Sequence, residues 1–91
     1  MFVVIYGRPG CGFCVRALAL AARLEAAGAI AGQRYVDLWA EGISKADLAE
    51  RIGKPVHTVP QIVVDQQHLG GFTEFDRYVR EHALLASGSP A

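Results

Sequence analysis

The sequence lacks the features typical of nucleic-acid-binding proteins, membrane-spanning proteins and secreted proteins. Its nine basic and nine acidic residues cancel, so it lacks the basic excess typical of nucleic-acid-binding proteins. No apolar run approaches the roughly 20 residues that span a bilayer, and the early run over residues 2–6 has the length of a strand. No basic leader precedes that run, which predicts that there is no signal peptide. We therefore expect one cytoplasmic domain that binds neither nucleic acid nor membrane.

Cysteine is scarce as well, with two residues in a chain of 91. A secreted domain of this size that depended on disulfides would usually carry about four or more. Cys11 and Cys14 instead share one Cys-Gly-Phe-Cys motif, and a bond between them closes too small a loop to restrict the unfolded chain appreciably. The motif therefore indicates chemistry rather than a structural cross-link.

Hydrophobic patterning predicts an α/β chain in the order βαβ, helix, ββα. The β-branched and aromatic run at 2–6 is typical of a strand buried on both faces. The first half predicts a parallel strand pair with a right-handed crossover, and the second a hairpin followed by a helix. We expect a domain at 1–85 and a disordered tail at 86–91. The other expected elements are a helix at 11–27, strands at 33–38, 61–65 and 67–69, and helices opened by Ser44 and Thr73.

Repeats at three- and four-residue steps predict one apolar face for each helix. The helix after Ser44 also carries an N-terminal signature, because Asp47 stands where the second half of a capping box is expected. The predicted faces are Val15, Leu18, Ala19, Ala22 and Ala26 on the first helix, Leu48 and Ile52 on the second, and Phe75, Tyr78, Val79 and His82 on the last.

The cysteine pair lies where a strand passes into a helix. Cys11 at the helix N-terminus would be stabilised as a thiolate by free N–H groups and the helix dipole, and Arg8 adds a positive charge nearby. Cys14 would lie one turn deeper. This placement predicts an exposed attacking thiol at Cys11 and a recessed resolving thiol at Cys14.

Other interpretations of the pair are less favoured. A zinc site needs four ligands, and the three histidines form no second ligand pair. We expect His57 and His68 to be ordinary loop or strand residues and His82 to line the last helix. An inert buried pair is a further alternative, but the glycines beside the cysteines argue against it. A Cys-x-x-Cys motif next to a βαβ pattern favours redox chemistry.

Two segments of the second half point to a groove. Thr58-Val59-Pro60 precedes a strand, and the Gly70-Gly71 pair allows close approach of the backbone. The helix that follows the glycines can hold a carboxylate at its N-terminus. Together with the cysteines, these segments suggest a small groove for a peptide that carries carboxylates.

The Cys-x-x-Cys, Thr-Val-Pro and Gly-Gly-x-Thr motifs, at these spacings, together form a specific family pattern. The chain resembles the glutaredoxins, close to the short bacterial dithiol type, over residues 3–82. The matching stretches are residues 6–17, 35–37, 40–43, 53–56 and 58–71.

The resemblance implies a thioredoxin-like fold, with a four-stranded mixed sheet flanked by helices and a cis bond before Pro60. It implies that Cys11 is the nucleophile, that Cys14 is the resolving thiol and that glutathione binds beside Cys11. The Val59 backbone would pair with the cysteinyl part of glutathione, and Thr73 and Glu74 would receive its γ-glutamyl end. The implied glutathione contacts are Arg8, Phe13, Thr58, Val59, Pro60, Gly71, Phe72, Thr73 and Glu74, with Lys45 beside Arg8 at the glycine carboxylate.

The chain departs from the family pattern between its cysteines. Gly12 and Phe13 replace the usual proline and tyrosine, and Phe72 stands where relatives often have tyrosine. In related glutaredoxins, a small residue in place of that proline is associated with a [2Fe-2S] cluster held between two subunits and two glutathiones. The resemblance therefore carries an alternative function, a cluster-binding dimer ligated by Cys11 that acts as carrier or sensor. No metal is expected in the monomer.

The leading function that the resemblance implies is that of a glutathione-dependent thiol–disulfide oxidoreductase. Such a protein would be active in electron transport and cell redox homeostasis. It would reduce glutathione mixed disulfides and protein disulfides as a monomer. The resemblance suggests ribonucleotide reductase and sulfate-assimilation reductases as partners. A thioredoxin served by a dedicated reductase is a third hypothesis, but Arg8, Thr73 and Glu74 form a set that favours glutathione.

Overall fold

The computed structural model describes residues 1–85, so the tail expected at 86–91 lies outside it. The element order is the predicted one, and the observed ends lie within one residue of those predicted. In the described residues no helix is both long and apolar enough to cross a membrane. The strands are β1 (Phe2–Gly7), β2 (Gly32–Asp37), β3 (Gln61–Val64) and β4 (Gln67–Gly70), and the helices are α1 (Gly12–Ala26), α2 (Lys45–Ile52) and α3 (Phe72–Glu81).

The sheet is mixed, with strand order β2-β1-β3-β4. β1 runs parallel to β2 and antiparallel to β3, and Asp65 and Gln66 turn β3 into β4. The carboxyl ends of β1 and β2 therefore lie beside the start of β3, where Tyr6 pairs with Gln61. Three loops meet at this end of the sheet.

The apolar face predicted for α1 is wrong. Val15 is 66% exposed, and the other members of that face are exposed as well. α1 is apolar on more than one side because it is rich in alanine and leucine, so periodicity alone does not select the buried face. Small side chains at Ala17 and Ala21 let the helix lie close to β1. The residues that α1 buries are Cys14, Ala17, Leu20, Ala21 and Leu24.

β1 has apolar residues on both faces, as predicted, but the two faces are covered unequally. Val3 and Ile5 are fully buried in the core cluster that lies under α1 and α3. Val4 and Tyr6 pack on the second cluster, around Leu48 of α2, and are only half-buried. The single short helix on that side covers part of the sheet.

α3 buries Phe75 and Val79, as predicted, but His82 is exposed. The helix ends at Glu81, and His82 caps it. The His82 Nδ1 lies 3.0 Å from the Tyr78 carbonyl oxygen, and its ring stacks on Tyr78. The ring is therefore held at the helix end and turned away from the core.

The capping box predicted for α2 is confirmed. The Ser44 hydroxyl accepts the Asp47 N–H at 3.0 Å, and an Asp47 carboxylate oxygen accepts the Ser44 N–H at 3.1 Å. The backbone hydrogen bond from Ser44 is the main cause that lowers the pKa of Asp47, so the box is complete at neutral pH and is lost as the carboxyl protonates in acid.

We expect Ser44→Ala to lower the free energy of unfolding by about 0.5–2 kcal/mol, because the substitution leaves an N-terminal N–H of α2 without its acceptor. Ser44→Thr keeps the acceptor and is the matched control. Urea denaturation of both variants measures the difference. Equal unfolding free energies for alanine and threonine would contradict a stabilising role for the cap.

Candidate active site

Cys11 is the N-cap of α1, as the sequence predicts. It forms a disulfide with Cys14, and the two Cα atoms are 5.2 Å apart. The Cys11 carbonyl accepts the first helical hydrogen bond, from the Val15 N–H, and its sulfur accepts the Cys14 N–H at 3.1 Å. In the reduced protein, we expect this N–H and the helix dipole to favour a thiolate at Cys11.

The two cysteines differ in solvent exposure less than predicted. Cys11 is 9% exposed and Cys14 is 1% exposed. The expectation of a well-exposed Cys11 is therefore wrong for the oxidised state, because its sulfur is bonded to Cys14 and lies against the segment before β3. Cys11 remains the more accessible residue of the pair.

The segment before β3 lies directly beside the disulfide. Cys11 Sγ is 3.7 Å from the Val59 carbonyl oxygen, although 48 residues separate them in the chain. The Val59–Pro60 peptide bond is cis, as the resemblance implied. Because Cys11 Sγ lies beside the Val59 carbonyl oxygen, a ligand attached to Cys11 would lie next to the Val59 backbone.

The N-terminus of α3 is the third segment that lies near the cysteine motif. The rings of Phe13 and Phe72 stack at 6.3 Å between centroids, which joins the cysteine motif to α3. A Cβ at Gly71 would lie 3.6 Å from the Pro60 carbonyl oxygen, so this turn passes close to the loop before β3. The three segments that the sequence singled out thus meet at one place.

The start of α3 differs from the prediction in two respects. The helix begins at Phe72, one residue earlier than predicted, with Gly71 as N-cap. Glu74 Oε1 accepts the Gly71 N–H at 2.9 Å, so part of the carboxylate predicted for the ligand is already engaged. Glycine has no side chain to accept from the first-turn N–H groups, which leaves those donors for an anion.

A cavity of about 460 Å³ opens beside Val59, between the β2–α2 loop and the segment before β3. Arg8 and Lys45, the two residues that the resemblance implies for the glycine carboxylate, both line it, and none of the described lining side chains is acidic. Trp39 forms one wall, is 68% exposed, and has the Arg8 guanidinium 5.8 Å from its ring centroid. The cavity suits an apolar segment that ends in a carboxylate.

Sequence reasoning missed Trp39. It follows β2, and the Asp37 carboxylate accepts the N–H groups of Trp39 and Ala40 at 3.0 Å each, which shapes a turn that leaves the indole outside. The available signal was a lone tryptophan placed directly after a strand that ends in aspartate, because aspartate at such a position favours a turn.

The comparisons with known proteins point to one family. A sequence model of the glutaredoxin family matches residues 3–69, more than half of the chain. A glutaredoxin of Vibrio cholerae is 58% identical over 85 residues, covering 93% of this chain and 98% of the relative. The chain belongs to the glutaredoxin family. It is therefore a thiol–disulfide oxidoreductase, with its redox pair in the Cys11–Cys14 motif.

Solved structures extend the match to the fold. Reduced Escherichia coli glutaredoxin superimposes with a TM-score of 0.82 at 52% identity, covering 91% of this glutaredoxin and 98% of that chain. A buckwheat glutaredoxin solved in complex with glutathione gives a TM-score of 0.66 at 26% identity, covering 90% and 71% of the two chains. The predicted thioredoxin-like architecture is confirmed.

The iron–sulfur alternative gains no support. Within residues 1–85 no group of three or more His, Cys, Asp or Glu side chains is placed to hold a metal ion. A cluster shared by two chains would take Cys11 as a thiolate ligand, but in this state its sulfur is bonded to Cys14. The described residues, in this state, do not fit a cluster site.

Proposed function

We propose that this glutaredoxin uses glutathione to reduce glutathione mixed disulfides and protein disulfides. The observation that carries the proposal is the 3.7 Å separation between Cys11 Sγ and the Val59 carbonyl oxygen, beside an open cavity and a helix N-terminus. The buckwheat relative solved with glutathione supports the same ligand here. Cys11 acts as nucleophile and Cys14 as resolving thiol.

The glutathione moiety lies in an extended conformation across the three segments. Its cysteinyl N–H and C=O pair with the Val59 backbone, and Thr58 flanks that pair. Its glycine carboxylate faces the cavity, where Arg8 and Lys45 supply positive charge and Trp39 supplies an apolar wall. The absence of acidic side chains from the described lining favours an anion at this end.

The γ-glutamyl end lies at the start of α3. Its carboxylate accepts first-turn N–H groups, and Thr73 adds a hydroxyl. Glu74 holds Gly71 through Oε1, which leaves Oε2 to accept the ammonium group. The stacked rings of Phe13 and Phe72 form an apolar wall between this end and the sulfur.

In the first route, the Cys11 thiolate attacks the glutathione sulfur of a mixed disulfide. A new bond joins Cys11 to glutathione, and the substrate thiolate leaves and takes a proton. A second glutathione thiolate then attacks the bound glutathione sulfur, which releases glutathione disulfide and restores the Cys11 thiolate. Only Cys11 is required for this route.

In the second route, the Cys11 thiolate attacks one sulfur of a protein disulfide. The substrate S–S bond breaks, the other substrate sulfur leaves as a thiolate, and Cys11 is joined to the first in a mixed disulfide. Cys14 then loses its proton and attacks Cys11 Sγ, which releases the first substrate sulfur as a thiolate and leaves the Cys11–Cys14 bond. Two glutathiones reduce this bond and leave as glutathione disulfide. The 5.2 Å separation of the two Cα atoms suits this exchange.

The physiological substrates belong to the same proposal. Ribonucleotide reductase and sulfate-assimilation reductases are the candidates that the family resemblance suggests. The protein would act as a monomer in the cytoplasm, where glutathione keeps thiols reduced.

A coupled assay tests the proposed function. A glutathionylated peptide, glutathione, glutathione reductase and NADPH are combined, and NADPH oxidation is followed with and without the protein. We expect rapid oxidation that saturates with the peptide and requires glutathione. Activity with a thioredoxin reductase, and none with glutathione, would contradict the proposal.

Reversal of the charge at Arg8 tests the carboxylate site. We expect Arg8→Glu to raise KM for the glutathionylated peptide about threefold to tenfold, because an attraction at an exposed site becomes a repulsion. Cys11 alkylation by iodoacetamide should also slow at neutral pH. Arg23→Glu, at the far end of α1, is the control for added negative charge. Matching kinetics for the Arg8 and Arg23 variants would refute the assignment of Arg8.

A further inference from the structure

Gln61 is a buried polar residue at the first position of β3, with 8% of its surface exposed. Its side chain is hydrogen-bonded at both ends. The amide Nε2 donates to the Thr58 carbonyl oxygen at 2.8 Å, and Oε1 lies 2.6 Å from His68 Nε2 on β4. The amide therefore bridges β4 and the loop that contacts Cys11.

The carbonyl of Thr58 fixes the orientation of this bridge. A carbonyl oxygen can only accept, so the Gln61 nitrogen must face it and Oε1 must face His68. The hydrogen of the neutral imidazole therefore lies on Nε2, and His68 Nδ1 is left buried without a hydrogen-bond partner among residues 1–85. Burial is the main cause that lowers the pKa of His68, with Lys54 lowering it further and Glu74 opposing the shift, so the net effect favours the neutral ring.

The loop that receives this bridge is held by side chains of other elements. The backbone carbonyl groups of residues 57–59 each contact a side chain from a different part of the fold. Lys45 Nζ of α2 donates to His57 O at 3.3 Å, Gln61 Nε2 donates to Thr58 O, and Cys11 Sγ lies beside Val59 O. Gln61 is the buried donor to this loop, and its hydrogen bond is shorter than that of Lys45.

We propose that Gln61 and His68 are positioning residues for thiol transfer. They hold the backbone of Thr58 and Val59 beside Cys11, where a glutathionylated substrate would bind. Neither side chain needs to touch the substrate. The inference rests on the proposed function, because Val59 is the backbone to which glutathione would bind.

The test replaces Gln61 with methionine, which has a similar volume and no amide. We expect KM for the glutathionylated peptide, and the inhibition constant of S-methylglutathione, to rise about fivefold to tenfold, as the loss of two hydrogen bonds implies. Alkylation of reduced Cys11 by iodoacetamide should stay within about twofold, because α1 is unchanged. Gln67→Met, on the exposed part of β4, is the matched control.

His68 supplies a second pair of variants in case Gln61→Met does not fold. His68→Leu removes the donor and should raise KM about threefold to fivefold, whereas His68→Gln keeps an N–H donor and should recover most of that loss. Unchanged KM in folded Gln61→Met, or equal KM in the two His68 variants, overturns the positioning role. A wild-type protein that does not use the glutathionylated peptide would overturn the proposed function instead.

Discussion

Replacement of Cys11 by serine is expected to abolish thiol transfer to every substrate, whereas Cys14→Ser should lose only the reduction of protein disulfides. The loss in Cys11→Ser should be roughly a thousandfold or more in kcat, because the attacking atom is removed. Cys14 is 1% exposed in the disulfide-bonded state, so we expect it to act only on a sulfur already bonded to Cys11.

Two substrates measured in parallel separate these roles. A glutathionylated peptide reports the first route, and a protein with one accessible disulfide reports the second. Cys14→Ser should keep most of the first activity, because a second glutathione can resolve the mixed disulfide without it. Parallel losses of both activities in both variants would contradict the division between attacking and resolving thiols.

Gly7→Ala is expected to be strongly destabilising. A Cβ at this position, at the end of β1, would lie 2.9 Å from Cys14 Sγ and 3.0 Å from Tyr35 Cζ, with the Tyr35 hydroxyl closer still. Overpacking of this kind costs about 1–3 kcal/mol, and in a domain of this size the cost corresponds to a fall in Tm of roughly 5–20 °C. Calorimetry on the disulfide-bonded protein measures the shift.

Gly12→Ala is the matched control for this substitution. Nothing lies within 4 Å of a Cβ at Gly12, and the position is in the first turn of α1, so alanine there should leave Tm unchanged or raise it slightly. Tyr35→Phe in the Gly7→Ala background removes the nearest clashing atom and should recover part of the loss. A Tm for Gly7→Ala equal to that of Gly12→Ala would show that the site is not tightly packed.

The element order was predictable because each segment carries a local signal. The apolar run at 2–6 is typical of a strand, and Ser44 with Asp47 marks the start of a helix. Both signals depend on residues close together in the chain. The observed strands and the capping box at Ser44 confirm them.

The buried face of α1 was not predictable in the same way. Val15 and Leu18 recur at helical steps as regularly as Leu20 and Leu24 do, so the pattern permits either face. The choice depends on which side chains fit the sheet, and Ala17 allows the closer approach. Tertiary packing therefore decides what local periodicity leaves open.

The candidate site was predicted as three segments but not as a set of contacts. The sequence indicated that residues near Cys11, Val59 and Gly71 belong together, and the fold brings them together. It did not indicate the bridge between Gln61 and His68. That bridge depends on the pairing of β3 with β4, which is irregular between Ile62 and Val63, and no local pattern specifies such an irregularity.

The central claim is that glutathione joined to Cys11 lies against Val59 and the N-terminus of α3. Cys14→Ser treated with glutathione disulfide should form a stable mixed disulfide at Cys11, which mass spectrometry verifies as one added glutathione. Comparison of its amide NMR shifts with those of the reduced variant tests the claim. We predict the largest changes outside α1 at Val59 and at residues 72–74. Changes confined to the first turn of α1 would contradict the account.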